Sequence, residues 1–192
     1  QLFNGIPPIN EKGDVEEQLD HYQQHQQQQL DERHLMESNC SCDNGRPVIT
    51  ESGDSFRILI EEYLKGNDVS ADGTNLDISN VPINCWNTSS VMDMSRAFQI
   101  RYTFNEPIEC WNTSQVTSMD SMFNRASLFK QSIVEWDTSS VRNMNSMFQS
   151  NEVFNQPIGA WNTSSVKTMM SMFKNATAFN QPIGDWDTSA VT

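Results

Sequence analysis

Apolar residues recur along this chain with a period of 25. Trp stands at 86, 111, 136, 161 and 186, and Ile stands three residues before each, at 83, 108, 133, 158 and 183. Val follows each Trp by five residues, at 91, 116, 141, 166 and 191. Met then recurs at 94, 119, 144 and 169, Phe at 98, 123, 148 and 173, and a second Phe at 104, 129, 154 and 179. No insertion breaks the period. A fixed period of about 20 to 50 residues marks a solenoid, because no unit buries its own apolar face and each must stack on the next. The predicted fold class is therefore an α/β repeat solenoid over residues 80–192.

Each rung reads locally. Pro-Ile-x-x-Trp is short, extended and apolar, which predicts a strand added to a parallel sheet at a spacing of about 4.8 Å. The following Asn/Asp-Thr-Ser supplies side-chain oxygens to free backbone groups at a turn. Val-x-x-Met-x-x-Met-Phe places apolar residues at i, i+3, i+6 and i+7, which predicts a short helical segment on the opposite wall. Trp, Met and Phe are expected to stack as core columns.

Upstream the period disappears. Residues 14–38 predict a polar Gln-rich helix, with Asp14 three before Glu17 and a thin stripe of Val15, Leu19, Tyr22 and Leu30; a solvated linker is the other reading. The turn-forming CSCDNGRP at 40–47 reads as a connector. Residues 54–66 carry helix signals throughout: Asp54 as N-cap, Gly66 as stop, and Phe56, Leu59, Ile60, Tyr63 and Leu64 on one face. The chain thus divides into an arm (1–50), a cap helix with its linker (51–79) and the array (80–192).

Charge narrows the partners. The chain of 192 residues carries a net charge of -13. Residues 1–80 hold 16 acidic against 5 basic side chains, and residues 81–192 hold 9 against 7. That balance argues against nucleic acid and anionic lipid as partners. No apolar run approaches the roughly 18 residues of a membrane span, so no membrane insertion is expected. A start at Gln1, without Met or leader, fits a mature secreted protein, as do four Cys and five N-x-(S/T) sequons.

Chemistry is sparse. All three His, at 21, 25 and 34, lie in the arm; His21 and His25 have metal-ligand spacing but no third ligand. No catalytic, metal-binding or cofactor-binding residues are expected, and the protein reads as no enzyme. The disulfide candidates are Cys40, Cys42, Cys85 and Cys110. Cys85 and Cys110 share a column one rung apart, within bonding range if the strands are parallel. Alternatively, the Cys-Ser-Cys turn makes two cross-bonds to that column. The sequons, which make Asn39, Asn87, Asn112, Asn162 and Asn175 candidates for glycosylation, include three within the repeat. Asp137 and Asp187 stand in the same column as Asn87, Asn112 and Asn162, which marks a turn position needing a short side-chain acceptor.

The pattern F-N-x-P-I-x-x-W-(D/N)-T-S-x-V-x-x-M-x-x-M-F resembles the 25-residue repeat of the BspA-like surface proteins, nearly position for position over residues 80–192. The helix at 54–65 is similar to the cap helix that often precedes such arrays. The resemblance implies a leucine-rich-repeat-like array, extracellular or at the cell surface, used for adhesion or protein interaction rather than catalysis. Ala97 departs from the Met122, Met147 and Met172 column, and Ile100-Arg101-Tyr102 replaces small residues, as in an atypical terminal rung. Lys130 and Ser132 replace the Asn and Pro of FNQPI in the third rung.

Two functions follow. One is a structural or adhesive component whose partners are other extracellular proteins or copies of itself. Phe3, Asn4, Pro8 and Ile9 echo the FN-x-PI of the repeat, so an arm docking on the last rung at Trp186 and Val191 of the next copy would give head-to-tail filaments. A chain truncated within its array is the rival account. The other function is a recognition module that binds protein, glycan or ice on the Thr ladder 88, 113, 138, 163 and 188.

Overall fold

The structure is a computed structural model that describes residues 40, 42, 46–67, 70–71, 76–78 and 80–192. The chain divides into two units, Gln1–Ser41 and Cys42–Thr192. The polar helix expected at 14–38, its His residues, Asn39 and the arm residues Phe3, Asn4, Pro8 and Ile9 lie outside the described residues. Apart from Cys40, all that follows concerns the second unit.

Among the described residues there is one α-helix, α1 (Asp54–Leu64), and one antiparallel pair, β1 (Ser70–Ala71) with β2 (Leu76–Asp77). The α/β repeat class and its leucine-rich-repeat-like rung are therefore overturned: the rungs hold neither a strand nor an α-helix. The 25-residue stacking itself is present, but it is built from turns.

The expected strand is a tight turn. In all five rungs the Trp N–H donates to the carbonyl of the Ile three residues before it, at 3.2–3.3 Å. Ile83–Cys85 and Ile158–Ala160 form single 3₁₀ turns on this pattern. An i→i+3 bond closes the backbone on itself, so this wall offers little main chain to a neighbouring rung.

The expected helical segment is a chain of overlapping turns. The N–H groups of Ala97, Gln99 and Arg101 turn back to Met94, Arg96 and Phe98, whereas those of Met94, Arg96, Phe98 and Ile100 donate to Ser118, Asp120, Met122 and Asn124 of the next rung. The same alternation recurs from 119 to 125 and from 144 to 150. It needs a left-handed residue every fourth position. Arg96, Ile100, Ser121, Arg125, Ser146, Ser150, Ser171 and Asn175 all have φ between 52° and 61°. Each such non-glycine residue costs about 1 kcal/mol, and the inter-rung bonds offset it. Isolated parallel bridges run Asp93 to Ser118 to Asn143 to Thr168 along this ladder.

Between the two walls lies the aromatic core. Trp86, Trp111, Trp136 and Trp161 are at most 4% exposed. Trp111 stacks on Trp136 at 6.4 Å, and Phe98, Phe123, Phe148 and Phe173 stack in turn at 5.5–5.7 Å. Phe98 also meets Trp111 at 5.7 Å, joining the walls across the core.

At the near end α1 closes the stack. Phe56, Leu59 and Ile60 are buried; Phe56 meets Trp111 edge-on at 5.6 Å and Tyr63 meets Trp86 at 5.0 Å. Gly53, not Asp54, holds the N-cap position. Gly66, at φ 72°, ends the helix with a double C-terminal bond, Gly66 N–H to Tyr63 O and Asn67 N–H to Glu62 O. Residues 47–53, read from sequence as connector and linker, instead pair with the first rung: Ile49 N–H donates to Asn87 O, Asn87 N–H to Pro47 O and Gly53 N–H to Asp93 O. This partial rung has none of the repeat's Trp or Phe, which is why the pattern did not show it.

Candidate functional site

The recurring polar side chains are used by the stack itself. Thr88, Thr113, Thr138 and Thr163 are at most 1% exposed, and each hydroxyl donates to the carbonyl of the Asn or Asp one rung on, at 2.9–3.0 Å. The Thr ladder expected as a binding face is therefore interior over those four rungs; Thr188 alone is exposed. The indole N–H groups of Trp111, Trp136, Trp161 and Trp186 donate to Ile83, Ile108, Ile133 and Ile158 of the preceding rung, at 2.8–3.3 Å. Trp86 has no preceding repeat, and its buried Nε1 has no acceptor among the described residues.

The Asn/Asp column has the expected turn geometry. Oδ1 of Asn87, Asn112, Asp137, Asn162 and Asp187 accepts the N–H of the Ser two residues on, at 2.9–3.1 Å. The Ser139 hydroxyl, then its N–H, hold the Asp137 carboxyl below the usual range, and Ser189 does the same for Asp187. Of the candidate glycan positions, Asn87 is half-buried, whereas Asn112, Asn162 and Asn175 are exposed.

FNQPI is a stacking device too. Asn105 and Asn155 accept the backbone N–H of Lys130 and Asn180 one rung on, while Gln131, Gln156 and Gln181 donate to carbonyls 105, 130 and 155 one rung back. Lys130 carries no amide oxygen, so it offers Asn155 no side-chain acceptor. That is the local departure expected of the third rung.

None of the four cysteines is free. Cys42 bonds Cys85, with Cα atoms 5.9 Å apart, which excludes the direct Cys85 to Cys110 staple. Tight turns at Ile-x-x-Trp replace the parallel strands on which that staple relied. The bond fastens the segment entering the partial rung to the first full rung. Nearby, the Arg46 guanidinium donates to the Cys110 carbonyl.

The atypical first rung opens a cleft of about 450 Å³ beside α1, lined by Glu61, Leu64, Arg101, Tyr102, Phe104 and Glu106. Arg101 pairs with Glu61 at 3.1 Å, yet its Nε is buried without an acceptor among the described residues. Hydrogen bonding to Lys65, then the charges of Lys65 and Arg101, lower the Glu61 pKa; partial burial raises that of Glu106. The sequence marked Ile100-Arg101-Tyr102 as unusual without indicating a cleft, because the other wall comes from α1.

Trp186, expected at an assembly end, is 9% exposed and tied to Ile158; Val191 is half-buried. No group of three metal-ligating side chains and no helix long and apolar enough to cross a membrane occurs among the described residues.

Residues 70–150 and 103–192 match the family described as "Mycoplasma protein of unknown function, DUF285". No curated protein and no solved structure matches the chain.

Proposed function

The chain belongs to this DUF285 family, and we propose that it is a non-enzymatic extracellular repeat protein of the BspA-like surface type, serving as a structural or adhesive component. One observation carries the reading: the recurring Thr hydroxyls, Asn/Asp carbonyls, Gln amides and Trp indoles are engaged in holding one rung to the next or its own turn. Side chains bound this way hold a regular stack together rather than carry out chemistry. Oxidation of all four cysteines fits a compartment outside the reducing cytosol.

The test is location and thiol content in the source cells. Labelling with a membrane-impermeant reagent is expected to reach the protein on intact cells or in the medium, and thiol titration of denatured protein is expected to find none free. A protein retained inside with four free thiols overturns the reading.

The recognition-module alternative is carried by a different feature. The first-rung cleft, lined by Arg101, Tyr102 and Glu106, offers polar side chains to a small ligand. Arg101→Ala would abolish such binding and leave location unchanged, as judged by calorimetry against a panel of carboxylates and sugars.

A further inference from the structure

Charge is segregated between the two walls. The turn ladder, residues 92–100, 117–125, 142–150 and 167–175, carries Arg96, Arg125, Arg142, Lys167 and Lys174 against Asp93 and Asp120. The opposite wall, residues 105–112, 130–137, 155–162 and 180–187, carries Glu106, Glu109, Glu135, Asp137, Asp185 and Asp187 against Lys130 alone. All these side chains are exposed or half-exposed. Arg125, Arg142, Lys167 and Lys174 form no ion pair among the described residues; Arg96 has a 4.0 Å contact with Asp120. The two walls meet through Phe and Trp across the core, so their outward faces point to opposite sides.

We propose that the basic turn ladder of one copy docks side by side on the acidic wall of a second copy. Charge complementarity gives the sign, and the repeat gives the register. Arg142 and Lys167 occupy one column a rung apart, roughly 4.8 Å, while Arg125 and Lys174 stand two rungs apart in adjacent columns. On the acidic wall Glu135 and Asp185, and likewise Asp137 and Asp187, also stand two rungs apart. A second copy is built on the same rung by construction, so the two-rung separation of Arg125 and Lys174 matches that of Glu135 and Asp185, with Arg142 and Lys167 lying between them, whereas an unrelated anionic polymer would have to match it. The same face is heterologous, so the contact extends laterally unless a rotation closes it. Net repulsion between copies is screened beyond about 8 Å at physiological salt, leaving close wall-to-wall pairs to act.

This inference rests on the reading of the chain as a structural component. Its test is separate, because location and thiol content do not bear on it. Sedimentation velocity of the full chain at about 0.05 M and about 0.5 M salt is the measurement. The parent is expected to associate reversibly at low salt, with at least about a twofold rise in apparent mass, and to dissociate at high salt. Arg142→Glu with Lys167→Glu leaves the turn ladder with four acidic against three basic side chains, and Glu135→Lys with Asp185→Lys cuts the acidic wall from six acidic against one basic to four against three. Each double variant alone is expected to stay monomeric, and a mixture of the two to associate again. The neutral pair Arg142→Gln and Lys167→Gln, matched to the parent by thermal melt, is expected to weaken association and guards against misfolding. A parent monomeric at every salt, variants that associate as the parent does, or a mixture that stays monomeric overturns the proposal. So does a monomeric parent retained on heparin beads through Arg142 and Lys167, which would assign the wall to an anionic polysaccharide.

Discussion

The two walls of a rung hold their neighbours by different means. On the turn ladder most bonds between rungs run from backbone to backbone, four of them from Met94, Arg96, Phe98 and Ile100 to the next rung, with exposed side chains such as Thr117, which donates to the Met92 carbonyl, adding to them. On the Ile-x-x-Trp wall the main chain bonds to itself, and side chains bridge the rungs instead: Trp indole to Ile carbonyl, Thr hydroxyl to Asn or Asp carbonyl, Gln amide to carbonyl. Backbone pairing is indifferent to side-chain identity. Met92, Thr117, Arg142 and Lys167 accordingly share one ladder column. Side-chain pairing is not indifferent, and Trp and Thr recur without exception on the other wall.

That contrast is broken most strongly by Trp136→Ala. It removes a ring that is 4% exposed, its stack on Trp111 and its bond to Ile108. A loss of about 3–5 kcal/mol is expected, comparable to the stability of a small domain. Denaturant unfolding followed by far-ultraviolet circular dichroism measures it; a melt within a degree or two of the parent would place the column on the surface.

Thr138→Val keeps the shape of the side chain and removes only its hydroxyl. The Asn162 carbonyl loses its buried donor, at a cost of about 1–3 kcal/mol. The equivalent change on the ladder, Thr117→Val at an exposed position, is expected to move the midpoint little, within about 0.5 kcal/mol.

Trp86→Phe against Trp136→Phe isolates the indole bond. Both lose similar volume, but only Trp136 gives up an acceptor, since the Nε1 of Trp86 has none. Trp136→Phe is expected to be the more damaging by about 1 kcal/mol, on the same unfolding curves.

Ile100→Gly tests the cost stored in the ladder. Ile100 is β-branched, 48% exposed and at φ 61°, a conformation glycine adopts without strain. A gain of up to about 1 kcal/mol is expected; a loss would mean that the exposed side chain contributes more than its backbone costs.

The smallest effect is in acid. The Asp137 carboxyl is held below its usual range by Ser139, so its contribution is present above the unfolded-state value of about 3.9 and is lost as pH falls through the lower folded value. Asp137→Asn, the residue type found at 112 and 162, is expected to remove this contribution and flatten the acid limb below about pH 5. An unchanged limb would show that the turn does not favour the charged form.

The apolar period by itself determined much of this protein. Trp, Ile, Val, Met and Phe at 25-residue spacing can bury their surface only by stacking rung on rung, and Asn exchanged with Asp in one column requires a short acceptor at a turn. Both are local or strictly periodic facts, so the residues express them directly. The amphipathic face of 54–66 likewise announced a helix in need of a surface.

The path of the backbone within a rung was decided elsewhere. Pro-Ile-x-x-Trp is apolar enough for a strand and Val-x-x-Met-x-x-Met for a helix, yet both became turns. Each carbonyl and N–H had to meet a neighbouring rung, and left-handed residues such as Ser121 and Ser146, neither glycine, satisfy that requirement. Their side chains carry no sign of it, because the compensating bonds belong to residues 24 positions away. The partial rung at 47–53 and the cleft at Arg101 were hidden for the same reason. They arise where one segment lies against another, a relation that the tertiary contacts of the stack determine and the order of residues does not.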